Sequence, residues 1–145
     1  MNSASIYRAG NRIVVCAHAA DEDTGVPVDC EPFVVYEEPV NPADVGGAIA
    51  RFLAEQDESA GKVTDAGTAR DFSDYLAQIL GYENYREFLN NAQTCVVEQA
   101  DDAVVARPVD PAVGDRDDWE AYSPGTEPTS EALGSYLLSA LHRAG

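Results

Sequence analysis

Basic residues are scarce in this chain of 145 residues. Nine Lys and Arg face 26 Asp and Glu, which gives a formal net charge of −17, and Lys62 is the only lysine. Binding to nucleic-acid phosphates or to an anionic membrane surface requires cationic contacts. The composition therefore argues against direct binding to DNA, RNA or an anionic membrane. It favours a basic partner, because opposite charges steer association.

Long apolar runs are also missing. No segment approaches the ~20 apolar residues that a membrane-spanning helix needs, and the first ten residues lack the basic and apolar regions of a secretory signal peptide. The three widely spaced cysteines, Cys16, Cys30 and Cys95, match no CxxC pattern, and an odd number leaves one thiol unpaired within the chain. We therefore expect a cytoplasmic protein whose thiols are reduced.

Recognisable catalytic and metal-binding motifs are missing as well. The chain has two histidines, His18 and His142, and no glycine-rich phosphate loop. Cys16 and His18 share one face of a predicted strand, but a cysteine inside an apolar run is typical of a small core residue. The runs at 21–23 and 115–118 lack calcium-loop spacing. We predict no catalytic residue, no metal site and no cofactor, although any of the acids could pair in space.

Strand and helix patterns are interspersed along the chain, and the apolar run from Ile13 to Ala17 indicates a central strand covered on both faces. We expect a single α+β domain over residues 1–145, a sandwich with a mostly antiparallel sheet of five or six strands and three or four helices. Residues 19–29 and 57–67 are predicted to be exposed connections. The predicted strands are Ser5–Arg8, Arg12–His18, Phe33–Tyr36, Cys95–Glu98, Ala103–Ala106 and Trp119–Tyr122, and the predicted helices are Pro42–Gln56, Thr68–Leu80, Asn84–Asn91 and Thr129–Arg143.

Two of the predicted helices carry an internal glycine at matching places, Gly46 in the first and Gly134 in the last. A glycine inside a helix costs about 1 kcal/mol relative to alanine. Such glycines often mark a close approach, so we interpret both helices as packing flat on one sheet. Internal duplication or a functional role are the alternatives.

Acidic residues cluster in predicted loops, several of them beside aromatic residues. Aromatic anchors ringed by acids are typical of a surface that docks a basic partner. The alternative is that Trp119 belongs to the core and the acids only solvate their loops. The candidate partner-binding residues are Asp21, Glu22, Asp23, Glu37, Glu38, Asp101, Asp102, Asp115, Asp117, Asp118, Trp119, Glu120 and Tyr122.

The order of these features resembles the immunity proteins of contact-dependent growth inhibition systems, the CdiI family of small cytoplasmic antitoxins. The resemblance covers most of the chain and rests on short motifs. These are the strand Arg12–His18, the loop Thr24-Gly25, the strand entry Glu31-Pro32-Phe33, the helix motif Val45-Gly46-x-x-Ile49, the segment Tyr85-x-x-Phe88 and the closing Leu133-Gly134.

The resemblance implies a protein without enzymatic activity that binds and neutralises the C-terminal toxin domain of a cognate effector, often a nuclease. Nucleases that bind RNA or DNA are commonly basic, and a charge of −17 is complementary to such a partner. Two alternatives come from other classes. One is a small cytoplasmic enzyme that uses carboxylate chemistry, and the other is an acidic scaffold or nucleic-acid mimic that binds a different basic protein.

Overall fold

The computed structural model describes residues 2–25, 27–58, 63–64, 66–100, 103–108 and 130–144. These form six strands and four helices in one α+β domain. The strands are β1 (Asn2–Ala9), β2 (Arg12–Asp21), β3 (Pro27–Glu37), β4 (Val63–Thr64), β5 (Ala92–Ala100) and β6 (Ala103–Pro108), and the helices are α1 (Pro42–Glu58), α2 (Ala66–Ile79), α3 (Tyr85–Asn91) and α4 (Ser130–Ala144).

Five strands form a continuous antiparallel sheet in the order β3-β2-β1-β5-β6, and the short β4 pairs parallel with the end of β2. The β1–β2 hairpin turns at Gly10, whose φ of 62° lies in the left-handed region that favours glycine. The predicted mostly antiparallel sheet, its strand number and the four helices are confirmed.

Both faces of the central strand β2 are covered, as the apolar run predicted. Ile13, Val15 and Ala17 enter a core cluster with α1 and α4, whereas Val14 and Cys16 enter a second cluster with α2 and α3. Alternate residues of a strand point to opposite faces, so one unbroken apolar run supplies both clusters. The sheet is therefore the middle layer between two helical layers.

All three cysteines carry free thiols, and Cys16 is fully buried in the second cluster. Burial, and after it the nearby Asp29 carboxylate, raises the pKa of the Cys16 thiol well above its usual range. A buried thiol of this kind stays protonated and is a poor nucleophile. The interpretation of Cys16 as a small core residue is therefore confirmed.

Two details of the sequence prediction were wrong, and a third concerns residues that the structure does not describe. The loop predicted at residues 19–29 is shorter, because β2 continues to Asp21 and β3 begins at Pro27. The polar connection predicted at residues 57–67 contains the two residues of β4, which is the sixth strand. The strand predicted at Trp119–Tyr122 lies outside the described residues.

The pairing of β3 with β2 changes register between Cys16 and Ala17. Cys16 pairs with Phe33, but the next residue, Ala17, pairs with Cys30, so β3 contains two extra residues at this point. Pro32 is one of them, and a proline is tolerated because β3 is an edge strand. Without this irregularity, Glu31 rather than Asp29 would lie opposite His18.

Gly134 marks a close approach, although the partner is a helix rather than the sheet. A Cβ atom at this position would lie 1.7 Å from the carbonyl oxygen of Pro42, in the first turn of α1. Only a residue without a side chain permits the backbones of α1 and α4 to come this close. The helices do share one face of the sheet, where Val45 and Leu137 belong to the same core cluster.

Gly134→Ala should destabilise the protein, although alanine is intrinsically the better helix former. The overlap with backbone atoms of Pro42 forces α1 and α4 apart, and overpacking of this kind typically costs about 1–3 kcal/mol. Urea denaturation should show this loss, while the control Ser135→Ala, at an exposed position of the same helix, should change the free energy of unfolding by less than about 0.5 kcal/mol. A Gly134→Ala protein as stable as the parent would contradict the close approach.

Candidate functional site

Five buried polar residues lie together on the sheet face that α2 and α3 partly cover. Ser3, Ser5 and Tyr7 project from β1, while the residues between them enter the core cluster on the opposite face. His18 on β2 and Asp29 on β3 occupy paired positions beside them. Each of the five is at most 9% exposed. We refer to them as the buried polar cluster.

The carboxylate of Asp29 is the centre of the buried polar cluster. Its Oδ2 accepts a hydrogen bond from the Tyr7 hydroxyl, and its Oδ1 lies 3.0 Å from Nε2 of His18. The hydroxyl of Tyr85, at the start of α3, lies 3.5 Å from Oδ2 and 3.3 Å from the Tyr7 hydroxyl. Donors from three other elements therefore stabilise one buried negative charge.

Both ring nitrogens of His18 have partners. Nδ1 lies 2.7 Å from Ser3 Oγ, and Nε2 lies 2.6 Å from Ser5 Oγ as well as near Asp29. An ionised carboxylate only accepts hydrogen bonds, so the geometry places a proton on Nε2 facing Asp29. When the ring is neutral, Nδ1 accepts the hydroxyl hydrogen of Ser3.

This geometry differs from a catalytic relay of serine, histidine and aspartate. In such a relay the nucleophile and the carboxylate bind opposite nitrogens of the imidazole. Here Ser5 and Asp29 share Nε2, and the serine on the other nitrogen, Ser3, does not line the adjacent cleft. The cluster is arranged to hold the charge of Asp29 and to fix the orientation of His18.

The pKa values of the cluster follow from burial and hydrogen bonding. Burial raises the pKa of Asp29, but hydrogen bonds from His18 and Tyr7 outweigh burial, so that the pKa lies below its ordinary 3.8. Burial, reinforced by the charge of Asp29, raises the pKa of Tyr7 well above 10. The same two causes raise the pKa of Tyr85 to about 12. At neutral pH the cluster therefore contains an ionised Asp29 and two protonated phenols.

The turn between α2 and α3 positions Tyr85. Gly81 follows α2 with a φ of 91°, and the Tyr82 N–H donates to the Ala77 carbonyl, which ends the helix. The side chain of Asn84 then caps α3 by accepting a hydrogen bond of 2.9 Å from the Glu87 N–H. Tyr85 is the first residue of α3, so the turn that ends α2 and the Asn84 cap of α3 together determine its position.

Aromatic packing holds α3 against the sheet beneath it. The ring of Phe88, which is fully buried, lies 5.1 Å from that of Tyr7 and 5.9 Å from that of Tyr85, measured between centroids. The ring of Tyr82 packs against the same phenylalanine at 5.7 Å. Tilted aromatic pairs at these distances are favourable. This packing fixes the rings of Tyr7 and Tyr85, whose hydroxyl groups reach Asp29.

A cleft of about 400 Å³ opens beside the buried polar cluster. Its walls come from the four strands β1, β2, β3 and β5 and from α2 and α3. The lining residues are Ser5, Tyr7, His18, Val28, Asp29, Arg70, Ser73, Asp74, Tyr85, Leu89, Thr94 and Val96. Ser5, Tyr7, His18 and Asp29 are the buried members of this lining, whereas Arg70 is exposed and Asp74 is half-buried.

Metal binding and membrane insertion have no support in the described part of the chain. None of its histidine, cysteine, aspartate and glutamate side chains meet in a group of three that could hold a metal ion. Within the same residues, no helix is both long and apolar enough to cross a membrane.

The structure separates the predicted acidic residues that it describes. Asp21 is the last residue of β2 and Glu22 and Asp23 follow it, whereas Glu37 pairs with the first residue of β2 and precedes Glu38. Strand rise places these two groups about 30 Å apart. The remaining candidates lie outside the described residues, namely Asp101, Asp102, Asp115, Asp117, Asp118, Trp119, Glu120 and Tyr122.

Two of these acids have internal roles. Asp21 is half-buried, and its Oδ1 accepts hydrogen bonds from the Asp23 and Thr24 N–H groups at 2.8 and 3.2 Å, which shapes the turn. Glu38 forms an ion pair of 2.9 Å with Nε of Arg8. Glu22, Asp23 and Glu37 are exposed. Of the five candidate acids that the structure describes, these three are therefore the exposed ones.

Sequence reasoning missed the buried polar cluster. Asp29 was assigned to an exposed loop and His18 to a strand end, but both are buried. One signal was available: Ser3, Ser5 and Tyr7 alternate with apolar residues, which is typical of a strand with one polar face. The pairing of β1 with β2, which the hairpin predicted, would then have brought this face beside His18.

Comparison with known proteins gives structural relatives only. No family model and no curated protein matches the sequence. A protein of unknown function from Neisseria meningitidis, NMB0488, superposes with a TM-score of 0.71 at 17% identity and covers 98% of this chain and 94% of its own. A chain of the CdiA-CT/CdiI toxin and immunity complex from Yersinia pseudotuberculosis does so with a TM-score of 0.68 at 14% identity, over 97% and 95%. This chain shares their fold.

Tyr7→Phe should lower stability by about 1–3 kcal/mol, because it removes a donor from the buried Asp29 carboxylate. The matched control is Tyr75→Phe, in which the lost hydroxyl belongs to a side chain that is 52% exposed, so its effect should stay below about 0.5 kcal/mol. Denaturant titrations of both variants at pH 7 provide the measurement. Equal effects of the two substitutions would contradict the central role of Asp29.

Alkaline pH should destabilise the protein through Tyr85. Its pKa of about 12 in the folded state exceeds the ordinary 10, so between these values the folded state binds more protons than the unfolded state. The contribution of the protonated Tyr85 hydroxyl to stability is therefore complete below pH 10 and is lost as the pH rises towards 12. Tyr85→Phe should therefore show a shallower fall in the free energy of unfolding above pH 10. Parallel pH profiles for the variant and the parent would refute this expectation.

Proposed function

We propose that this protein is an immunity protein, which binds and neutralises the C-terminal toxin domain of a cognate contact-dependent growth inhibition effector. The observation that carries the proposal is the likeness, over 97% of the chain, to a chain of a toxin and immunity complex. The motif resemblance in the sequence leads to the same family. In this role the protein acts by binding in the cytoplasm, and it needs neither catalysis nor a cofactor.

Charge supports the immunity role rather than the toxin role for this chain. A toxin that cleaves nucleic acid must bind phosphates through cationic residues. The present chain has 26 acids and nine Lys and Arg, which suits the inhibitor of such a toxin. We therefore propose that the partner is a basic toxin domain, and that its activity is that of a nuclease.

The inhibitory complex would form in two stages. Exposed acids accelerate the encounter with the basic toxin through long-range attraction, which salt screens over a Debye length of about 8 Å at physiological ionic strength. Close contacts then hold the complex by excluding water around a few anchors. Glu22 and Asp23 are exposed acids suited to the first stage. We propose that Asp117 and Asp118 contribute to the same stage and that Trp119 is an anchor of the second.

The direct test uses the toxin domain of the effector whose gene, if the proposal is correct, directly precedes the gene of this protein. Co-expression should rescue cells from the growth arrest that the toxin causes, and the two purified proteins should form a complex that lacks the toxin's activity. Toxin from an unrelated effector is the control, because it should arrest growth despite co-expression. Absence of both rescue and complex formation would refute the immunity role.

Neutralisation of the acids that contact the toxin should slow association. Two double variants test this expectation, Glu22→Gln with Asp23→Asn and Asp117→Asn with Asp118→Asn. Each removes two negative charges from a different segment, so each is the control for the other. The pair near the docking surface should reduce the association rate several-fold at low salt, and the difference should fade at high salt. Stopped-flow or biosensor kinetics give the rates. If neither pair slows association at low salt, these acids only solvate their loops.

A further inference from the structure

We propose that the cleft beside the buried polar cluster receives a lysine or arginine side chain of the toxin and anchors the complex. The inference rests on the proposed function and identifies one contact within it. Three properties of the cleft carry it, namely its dimensions, its apolar walls and the placement of its negative charges.

The cleft suits one long side chain in its volume and in the character of its walls. Its volume of about 400 Å³ exceeds what one or two water molecules need. Val28, Leu89 and Val96 supply apolar wall, and Leu89 is 39% exposed. Lys and Arg have aliphatic stems that cover apolar surface while the charged group extends beyond it. The walls therefore match the stem of a basic side chain better than a short polar group.

The charges of the cleft match a cationic group. Asp29, which is 9% exposed, lies at the buried end, and Asp74 of α2 lies on the wall. Within the described residues, the His18 imidazole lies 3.0 Å from Asp29, and no lysine or arginine forms an ion pair with Asp29 or Asp74. A guanidinium or ammonium group in the cleft would place a positive charge near both carboxylates in a partly desolvated place, where charge-assisted hydrogen bonds are strong.

An aromatic residue adds to the cation-binding character of the cleft. Tyr85 is half-buried in its lining, and its hydroxyl lies near both Tyr7 and Asp29. A phenol oxygen accepts hydrogen bonds from a cation, and an aromatic ring attracts one electrostatically. The turn that fixes Tyr85 at the start of α3 keeps this group in place before the partner arrives.

Arg70 allows a test of whether the group that enters the cleft is cationic or anionic. It is exposed, lines the cleft and precedes Asp74 by one helical turn. If the ligand is cationic, Arg70→Gln should tighten toxin binding and Asp74→Asn should weaken it, each by about threefold to tenfold. An anionic ligand would reverse both effects, and such a reversal would overturn the proposal.

A large side chain introduced on the cleft wall tests whether the toxin occupies the cleft. Ser73→Arg introduces a cationic side chain on the cleft wall and should raise the Kd for the toxin at least tenfold, mainly through faster dissociation. Gln78→Arg is the matched control, because it makes the same change at an exposed position of the same helix that does not line the cleft. Equal toxin affinities for these two variants would overturn the proposal.

A small probe separates this inference from the proposed function. Butylguanidinium carries the stem and head group of an arginine side chain, and its titration should shift the amide NMR signals of Tyr85, Leu89 and Val96 in the parent protein but not in Ser73→Arg. Absence of these shifts overturns the cleft chemistry even when the parent protein binds the toxin. Failure of the parent protein itself to bind the toxin refutes the proposed function, and the probe then reports on the cleft alone.

Discussion

A buried carboxylate sets the main constraint on one half of this structure. Asp29 of β3 has little access to water, and its charge is tolerated because Tyr7 of β1 and His18 of β2 donate to it. Those donors require β1, β2 and β3 to be adjacent and in register. The position of Tyr85 further requires the turn that starts α3. Strand order, register and helix placement thus all contribute to one hydrogen-bonded group.

The opposite half of the structure is held mainly by apolar packing. The cluster between the sheet, α1 and α4 is apolar, and α4 comes close to α1 where Gly134 meets Pro42. Apolar packing is non-directional, so this half depends largely on the volumes of its side chains and on the absence of one at Gly134. The two faces of β2 therefore differ in character, since one supports a dense core and the other a polar cleft.

Local patterns predicted the fold but not the site. The β1–β2 hairpin, the central strand and the four helices were predictable, because turn residues, apolar periodicity and helix ends are encoded within short segments. Asp29 was not, since Pro27 and the surrounding polar residues are typical of a loop, and its burial depends on Tyr7 and His18 elsewhere in the chain. The acidic loops remain predictions for partner binding, and the structure adds that Asp21 and Glu38 already have internal partners.

The irregular register of β3 has a consequence for how this strand can change in length. It inserts two residues, Glu31 and Pro32, between positions that pair with adjacent residues of β2. An even number preserves the alternation of side chains, so Asp29 and Phe33 point to the same face of the sheet. A single-residue insertion or deletion here would turn the carboxylate into the apolar layer against α1 and α4. Length variation at this point of the sheet edge is therefore compatible with the cleft only in steps of two residues.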